Sequence, residues 1–390
     1  MARDSREGNA ARRPAARAIS VDQTSQADAE RNYRRGLTRP EQLRLAHEAA
    51  TTRSAELRLA YPGLISVGSG FRTRRTEAGG QPVLTREPCV IFVVAKKWRT
   101  AGRRGDPRRL PTHLLAVAGP DGQRMLCAVP TDVRPVSQYG LPRPKAGGDE
   151  VPLPFGVLVR RTGDDALVRG VATCGVQRPG LPDVVFAMSC RHVLSRSLRD
   201  ADENKTGLPV LLNRPCLPRV GSTLAARGAL LDGPRFSFDA QLAKLSDGTE
   251  LKRVMSGLKF TAADAFLHDP GDVGFGFWIA TGRAAANGRR KFVWVDYTGT
   301  VEDFEMPYRL GNGSVIRVRH ELVLHGISES QLMDGDSGSP AVRNQDGRQL
   351  MGMFIGGQGN EAFVLPAWQL MNPRNLGIGS ELRWGVAPTA

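Results

Sequence analysis

Three residues in this sequence have the types, order and surroundings to carry out acyl transfer: His192, Asp239 and Ser337. That chemistry needs a hydroxyl nucleophile, a base within hydrogen-bond reach, and donors aimed at the oxyanion that develops on the attacked carbonyl. The stretch "MDGDSGSPAV", residues 333 to 342, offers the first and the third. In Gly335-Asp336-Ser337-Gly338 the glycines permit a tight turn that exposes the Ser337 Oγ, and the N–H groups of Gly335 and Ser337 form the expected oxyanion hole. Of the six histidines, His192 alone stands just past a buried strand, in "VVFAMSCRHVLSRSL", where a rigid scaffold can hold a base. Asp239, in "RFSFDAQLAKL", is a lone carboxylate at the head of an apolar strand, costly to bury unless paired, and His192 is its expected partner.

Short strands must position these groups. From residue 155 to 372, turns of Gly, Pro and Asn divide "GVLVRRT", "VRGVATCGV", "DVVFAMSC", "LPVLLN", "STLAARGAL", "DAQLAKL", "KFVWVDYTGTV", "VIRVRHELVLHG", "SPAVRN" and "LMGMFIGG". So many strands with so little helix predict an all-β barrel or sandwich. Upstream, residues 40 to 140 read as an amphipathic helix, "PEQLRLAHEAATTRSAELRLAY", followed by a small α/β module. The module comprises "GLISVGSGFRTR", a continuously apolar "PCVIFVVAKKW" expected to be buried on both faces, a short helical "PTHLLAVAG", and "RMLCAVPTDVRPV". The Gly68-x-Gly70 pair is read as a strand bend or bulge, since no helix follows it as a phosphate loop requires. Residues 1–39 read as a disordered basic arm, 141–154 as a linker, and 373–390 as a C-terminal tail.

The composition narrows the classes of partner. Of 54 Lys and Arg only eight are lysines, and the net charge is +15. The basic residues are scattered, with no interleaved nucleic-acid motif, so solvated arginine-rich faces explain them better than a nucleic-acid partner does. The arm, with Arg12, Arg13, Arg17, Arg31, Arg34 and Arg35, is where nucleic acid would bind if it bound at all. Acidic residues such as Asp4, Glu7 and Asp22 disfavour a transit peptide. Five widely spaced cysteines without a C-x-x-C pair favour reduced thiols, and no apolar run is long enough to span a bilayer. A soluble, cytoplasmic protein with no membrane partner is expected. His268 and His320 are each followed by a carboxylate but lack metal-ligand spacing, so they are read as surface and strand positions, and no metal or other cofactor is required.

The three residues run in the order His, Asp, Ser, separated by 47 (239 − 192) and 98 (337 − 239) positions. Chymotrypsin has the same order, at about 45 and about 93. The chain resembles the chymotrypsin-like, trypsin-fold serine proteases: Asp336-Ser337-Gly338 is similar to their nucleophile signature, Cys190-Arg191-His192 to their histidine segment, and Asp239-Ala240 to their aspartate segment. From about residue 63 it more closely resembles the trypsin-like proteases of bacteria and plants related to the plant narrow-leaf protein. "GSGFRTRR", "PCVIFVVAKK", "LPTHLLAVAGPDGQ" and "VPTDV" precede the protease, and "FGVLVRRTGDDALVRGVATCGV" opens it.

The resemblance implies a mainly β fold, a chymotrypsin-like double β-barrel over residues 155–372 preceded by the small N-terminal α/β module. It implies a serine endopeptidase acting on a protein or peptide substrate, and a possible homo-oligomer. The alternative is a catalytically silent trypsin-like fold that binds peptides or assembles with a partner. Ser339 stands where the signature has a second glycine, a change expected to leave the turn intact because Gly338 is retained. The family's extracellular members pair a free N-terminus, released by cleavage, with the aspartate that Asp336 matches; no segment of that kind is read before residue 155, so such activation is not expected and the partner of Asp336 is left open. The specificity pocket would comprise Gln331, Ile355, Gly356 and Gly357. Gln331 in place of a carboxylate argues against a preference for Arg or Lys, and the glycines would leave room for an uncharged side chain.

Overall fold

The computed structural model describes residues 25–75, 82–94, 110–118, 124–135, 153–160, 167–178, 181–194, 208–212, 219–223, 236–247, 249–255, 258, 276–309, 315–330, 332–333, 335–343, 349–357, 360–370 and 383–384. Strands dominate from residue 64 onward, where β-branched and aromatic residues recur between turns. The first ring of strands comprises β5 (Val157–Arg160), β6 (Leu167–Gly170), β7 (Cys174–Arg178), β8 (Leu181–Ser189), β9 (Pro209–Leu212), β10 (Arg219–Thr223) and β11 (Gln241–Leu245). They pair in the order β7-β8-β11-β10-β9-β5-β6. Only Val171–Thr173 separates β6 from β7, so these two act as one bent strand joining the ends of the row. The result is a closed six-stranded barrel.

The second ring holds β12 (Gly276–Ala284), β13 (Arg290–Arg309), β14 (Val315–Ser328), β15 (Pro340–Val342), β16 (Leu350–Gly356) and β17 (Glu361–Pro366). Its order is β12-β15-β16-β17-β14-β13, and β13 also pairs with β12, which closes it. The expected mainly β architecture is therefore present as two six-stranded barrels. "GFWIATGRA", absent from the expected strands, is β12.

The N-terminal region departs from expectation in three ways. Part of the supposed basic arm is helix: α1 (Gln26–Gly36) is capped by Ser25 and precedes α2 (Arg39–Ala60), which starts at Thr38 with a capping box. "PTHLLAVAG" is not helical but contains the edge strand β3 (His113–Ala118), paired antiparallel to β4 (Met125–Pro135). Most importantly, the module is not a separate layer. β1 (Leu64–Arg75) pairs with the outer part of β13, Val67 facing Glu302 and Gly70 facing Gly299, so β1, β2 (Pro82–Val94), β4 and β3 extend the second barrel into one ten-stranded sheet.

As expected, β2 is buried on both faces. Cys89, Ile91 and Val93 face the large core shared by the barrels, while Val90, Phe92 and Val94 face the helices. Gly68 and Gly70, expected at a bend or bulge, pair in regular register with β2 and β13, and their role is close approach. A Cβ on Gly70 would stand 1.7 Å from the Thr298 carbonyl oxygen, so only glycine allows β1 to approach β13 this closely. At the other end of the chain, β18 (Arg383–Trp384) within the supposed tail pairs with β7. The expected linker lies outside the described residues except for Leu153 and Pro154. Among the described residues no helix is long and apolar enough to cross a membrane.

Candidate active site

His192 and Asp239 both belong to the first barrel. β8 ends at Ser189, and a single helical turn, α3 (Arg191–Leu194), carries His192. Asp239 lies two residues before β11, which pairs with β8, so the ladder brings the two residues together. Asp239 has no exposed surface. Its Oδ2 accepts from His192 Nδ1 at 2.6 Å and its Oδ1 from the His192 backbone N–H at 3.0 Å. Burial by itself would raise the Asp239 pKa, but the His192 ring and these hydrogen bonds outweigh it, and the carboxyl is held below its ordinary value.

The Ser337 turn comes from the second barrel, between β14 and β15. Gly335 and Gly338 occupy the left-handed region, with φ of +89° and +86°. A Cβ on Gly338 would stand 2.1 Å from the Val171 carbonyl oxygen, so the turn packs directly onto the bend between β6 and β7. There the Ser337 carbonyl accepts from the Val171 N–H at 2.8 Å, and the Gly338 carbonyl from Thr173 Oγ1 at 2.7 Å. Cys190 Sγ donates to the Phe354 carbonyl, joining the histidine segment to β16. Gly170 marks the convergence: a Cβ there would meet both the Val193 side chain and the Ser337 carbonyl oxygen within 3 Å. The segments bearing His192 and Ser337 thus meet where the barrels join. Ser339 is fully buried and continues the turn, its N–H donating to the Asp336 carbonyl.

Sequence reasoning missed three residues. Arg283, at the end of β12, donates from one guanidinium nitrogen to Asp336 Oδ2 at 2.9 Å, and the Met333 N–H donates to the same oxygen at 2.8 Å. Arg283 is the partner that was left open. A lone arginine in the apolar "WIATGRA" was its signal, because a buried charge must be paired. Burial still raises the Asp336 pKa, against the opposing pull of Arg283. The other two are Tyr308 and His320, whose side chains reach the Asp239 carboxylate in a buried string. His320 is indeed in a strand, but it is buried and not on the surface.

The specificity residues fare differently. Ile355 is fully buried in the shared core, and Gly357 is needed for another purpose, since a Cβ there would stand 1.8 Å from the Glu361 carbonyl oxygen. The close approach of β17 thus accounts for the glycine that was read as space for a side chain. Gly356, at φ +157°, ends β16, and Gln331 and His268 lie outside the described residues. Cys190, His192 and Asp239 offer potential ligand atoms within 4.8 Å of one another. Burial pushes the Cys190 thiol well up in pKa and its Sγ donates to the Phe354 carbonyl, while His192 and Asp239 are hydrogen-bonded to each other. Cys89, Cys127, Cys174 and Cys190 are free and buried, and Cys216 lies outside the described residues.

Two closed six-stranded barrels, with a His–Asp pair on one and a glycine-framed serine turn on the other, meet at a shared seam. The fold is chymotrypsin-like. No family model matches the sequence, and no curated protein matches it. Solved structures similar to this chain include a glutamic acid-specific serine protease, 11% identical, covering 56% of this chain and 95% of that one at a TM-score of 0.33. The MamO protease domain of Magnetospirillum magneticum is 17% identical, covering 57% and 96% at 0.30. The chymotrypsin of Cellulomonas bogoriensis is 14% identical, covering 56% and 98% at 0.31. The assignment rests on the two rings and their seam.

Proposed function

We propose that this protein is a serine endopeptidase that hydrolyses peptide bonds of a protein substrate through an acyl-enzyme. The observation that carries the reading is the 2.6 Å contact between the fully buried Asp239 and His192 Nδ1, at the seam where the Ser337 turn docks. With Nδ1 engaged by Asp239, Nε2 is the ring nitrogen of His192 that takes the proton. Ser337 Oγ attacks the peptide carbonyl as His192 takes its proton, and Asp239 stabilises the imidazolium. The tetrahedral intermediate expels the amine, which leaves with the proton from His192. Water then attacks the ester, giving its proton to His192, and the acid departs as Ser337 recovers the proton. Within the turn, the N–H groups of Asp336, Gly338 and Ser339 are used by backbone carbonyls. Those of Gly335 and Ser337 are assigned to the oxyanion, at a worth on the order of 3 kcal/mol for one such donor.

A fluorophosphonate probe tests the reading directly. Wild-type protein is expected to label, and folded Ser337→Ala and His192→Ala variants are not. Labelling should rise with pH, as general-base catalysis requires; a folded wild type that does not label, or a rate that does not change with pH, overturns the proposal.

A further inference from the structure

The β13–β14 hairpin reaches across from the second barrel to the Asp239 segment of the first. Phe236 bridges to Arg319, and the Ser237 N–H donates to the Arg319 carbonyl at 2.8 Å. From the same hairpin come two fully buried polar side chains that the proposed chemistry does not use. Tyr308 OH donates to Asp239 Oδ2 at 3.0 Å and lies 3.1 Å from His320 Nε2. The Tyr308 ring also stands edge-on to the His192 ring, with centroids 5.7 Å apart.

The proton order along this string is determined by counting donors. A tyrosine hydroxyl has one proton, and here the buried Asp239 carboxylate receives it. The Tyr308 oxygen then accepts from His320, which places the His320 proton on Nε2. His320 Nδ1 is buried without a partner among the described residues. As a bare lone pair this nitrogen costs less than an orphaned N–H would, which agrees with the same tautomer. The titratable and charged groups around the string are His192, Cys190, Arg191 and Asp239 from the first barrel and Tyr308 and His320 from the second. Burial lowers His320 to about 4, so it remains a neutral donor near neutral pH.

We propose that Tyr308 and His320 are positioning residues for the acid–base pair: Tyr308 fixes the Asp239 carboxylate against His192, and His320 fixes the direction of the Tyr308 hydroxyl. The inference rests on the roles given above to His192 and Asp239. In Tyr308→Phe the ring remains and one donor is lost. The carboxylate, carrying more of its charge, then favours the imidazolium and sits less firmly in place.

The experiment uses the full chain and two readouts. One is the His192 Nδ1 proton resonance by NMR, which is readable whether or not Ser337 reacts. The other is the fluorophosphonate labelling rate as a function of pH. In Tyr308→Phe the resonance is expected to be displaced, the plateau rate to fall about ten-fold, and the profile to move to higher pH. His320→Phe should reproduce part of this. His320→Gln, whose amide can donate to Tyr308, should restore wild-type behaviour. An unchanged resonance and pH profile in folded Tyr308→Phe overturns the proposal. If that variant does not fold, His320→Phe and His320→Gln decide: a difference between their resonances supports the positioning role, and identical resonances overturn it. If the wild type does not label, the resonance still decides the positioning role separately from the proposed protease activity.

Discussion

Asp239 and Asp336 are both fully buried at the seam between the barrels, yet they are held in opposite ways. Asp239 accepts three hydrogen bonds, two from His192 and one from Tyr308, and its pKa is lowered. Asp336 has one arginine nitrogen and one backbone N–H on a single oxygen, its other oxygen has no partner among the described residues, and its pKa is raised by burial. At Asp239 burial is outweighed by the nearby His192 ring, first through its charge and then through its hydrogen bonds, whereas at Asp336 burial outweighs the charge and hydrogen bond of Arg283. The two also have opposite linkage to pH. Asp239 contributes stability above its ordinary value of 3.8 that is lost as pH falls through its folded pKa. Asp336 favours folding below 3.8, and that contribution is lost as pH rises through its folded pKa.

Breaking the better-held aspartate should cost the most in rate. Asp239→Asn keeps the shape but leaves His192 in the wrong tautomer, and a drop of about 10⁴-fold in labelling rate is expected. A rate within ten-fold of wild type would show that the three-donor site is not what orients the base. Breaking the other aspartate should show in stability. Arg283→Met leaves Asp336 buried and uncompensated, with an expected loss of about 3–5 kcal/mol in denaturant unfolding. The double variant Arg283→Met with Asp336→Asn should recover most of that loss; failure to recover would mean that Arg283 acts elsewhere.

A smaller effect sharpens the comparison from the Asp239 side. His320 is lowered from 6.5 to about 4, so the unfolded chain takes up the proton first as pH falls. That contribution is fully present above 6.5 and is lost toward about 4, which amounts to about 2 kcal/mol between pH 7 and pH 5. Unfolding curves at the two pH values should show this loss in wild type and its absence in His320→Gln. An equal loss in both would assign the acid sensitivity to other groups.

The candidate residues His192, Asp239 and Ser337 stand out in the sequence because their local settings are distinctive: a serine flanked by Asp336 and Gly338, a histidine past an apolar strand, and a lone aspartate heading another. The residues that support them do not. Tyr308 lies 69 positions from Asp239 and is brought to it by pairing between strands, which no local pattern reports. A partial signal existed in "FEMPY", where Phe304, Met306 and Tyr308 are buried and alternate with other residues, as on a strand with one face in the core. Similarly, "HLLAVA" has an apolar run too short to separate helix from strand, and its pairing with β4 decided the matter. Composition placed a boundary near residues 141–154, but the pairing of Val67 with Glu302 crosses it.

That last pairing has a consequence for synthesis. The partner of Val67 is made 235 residues later (302 − 67), which at about 5–20 residues per second is on the order of 10–50 s. Through that interval β1 has no neighbour on its β13 side, although β2 can already pair on the other. The nascent chain therefore presents an open sheet edge next to the apolar run of Cys89 to Val94, the condition in which strands add to the wrong partner.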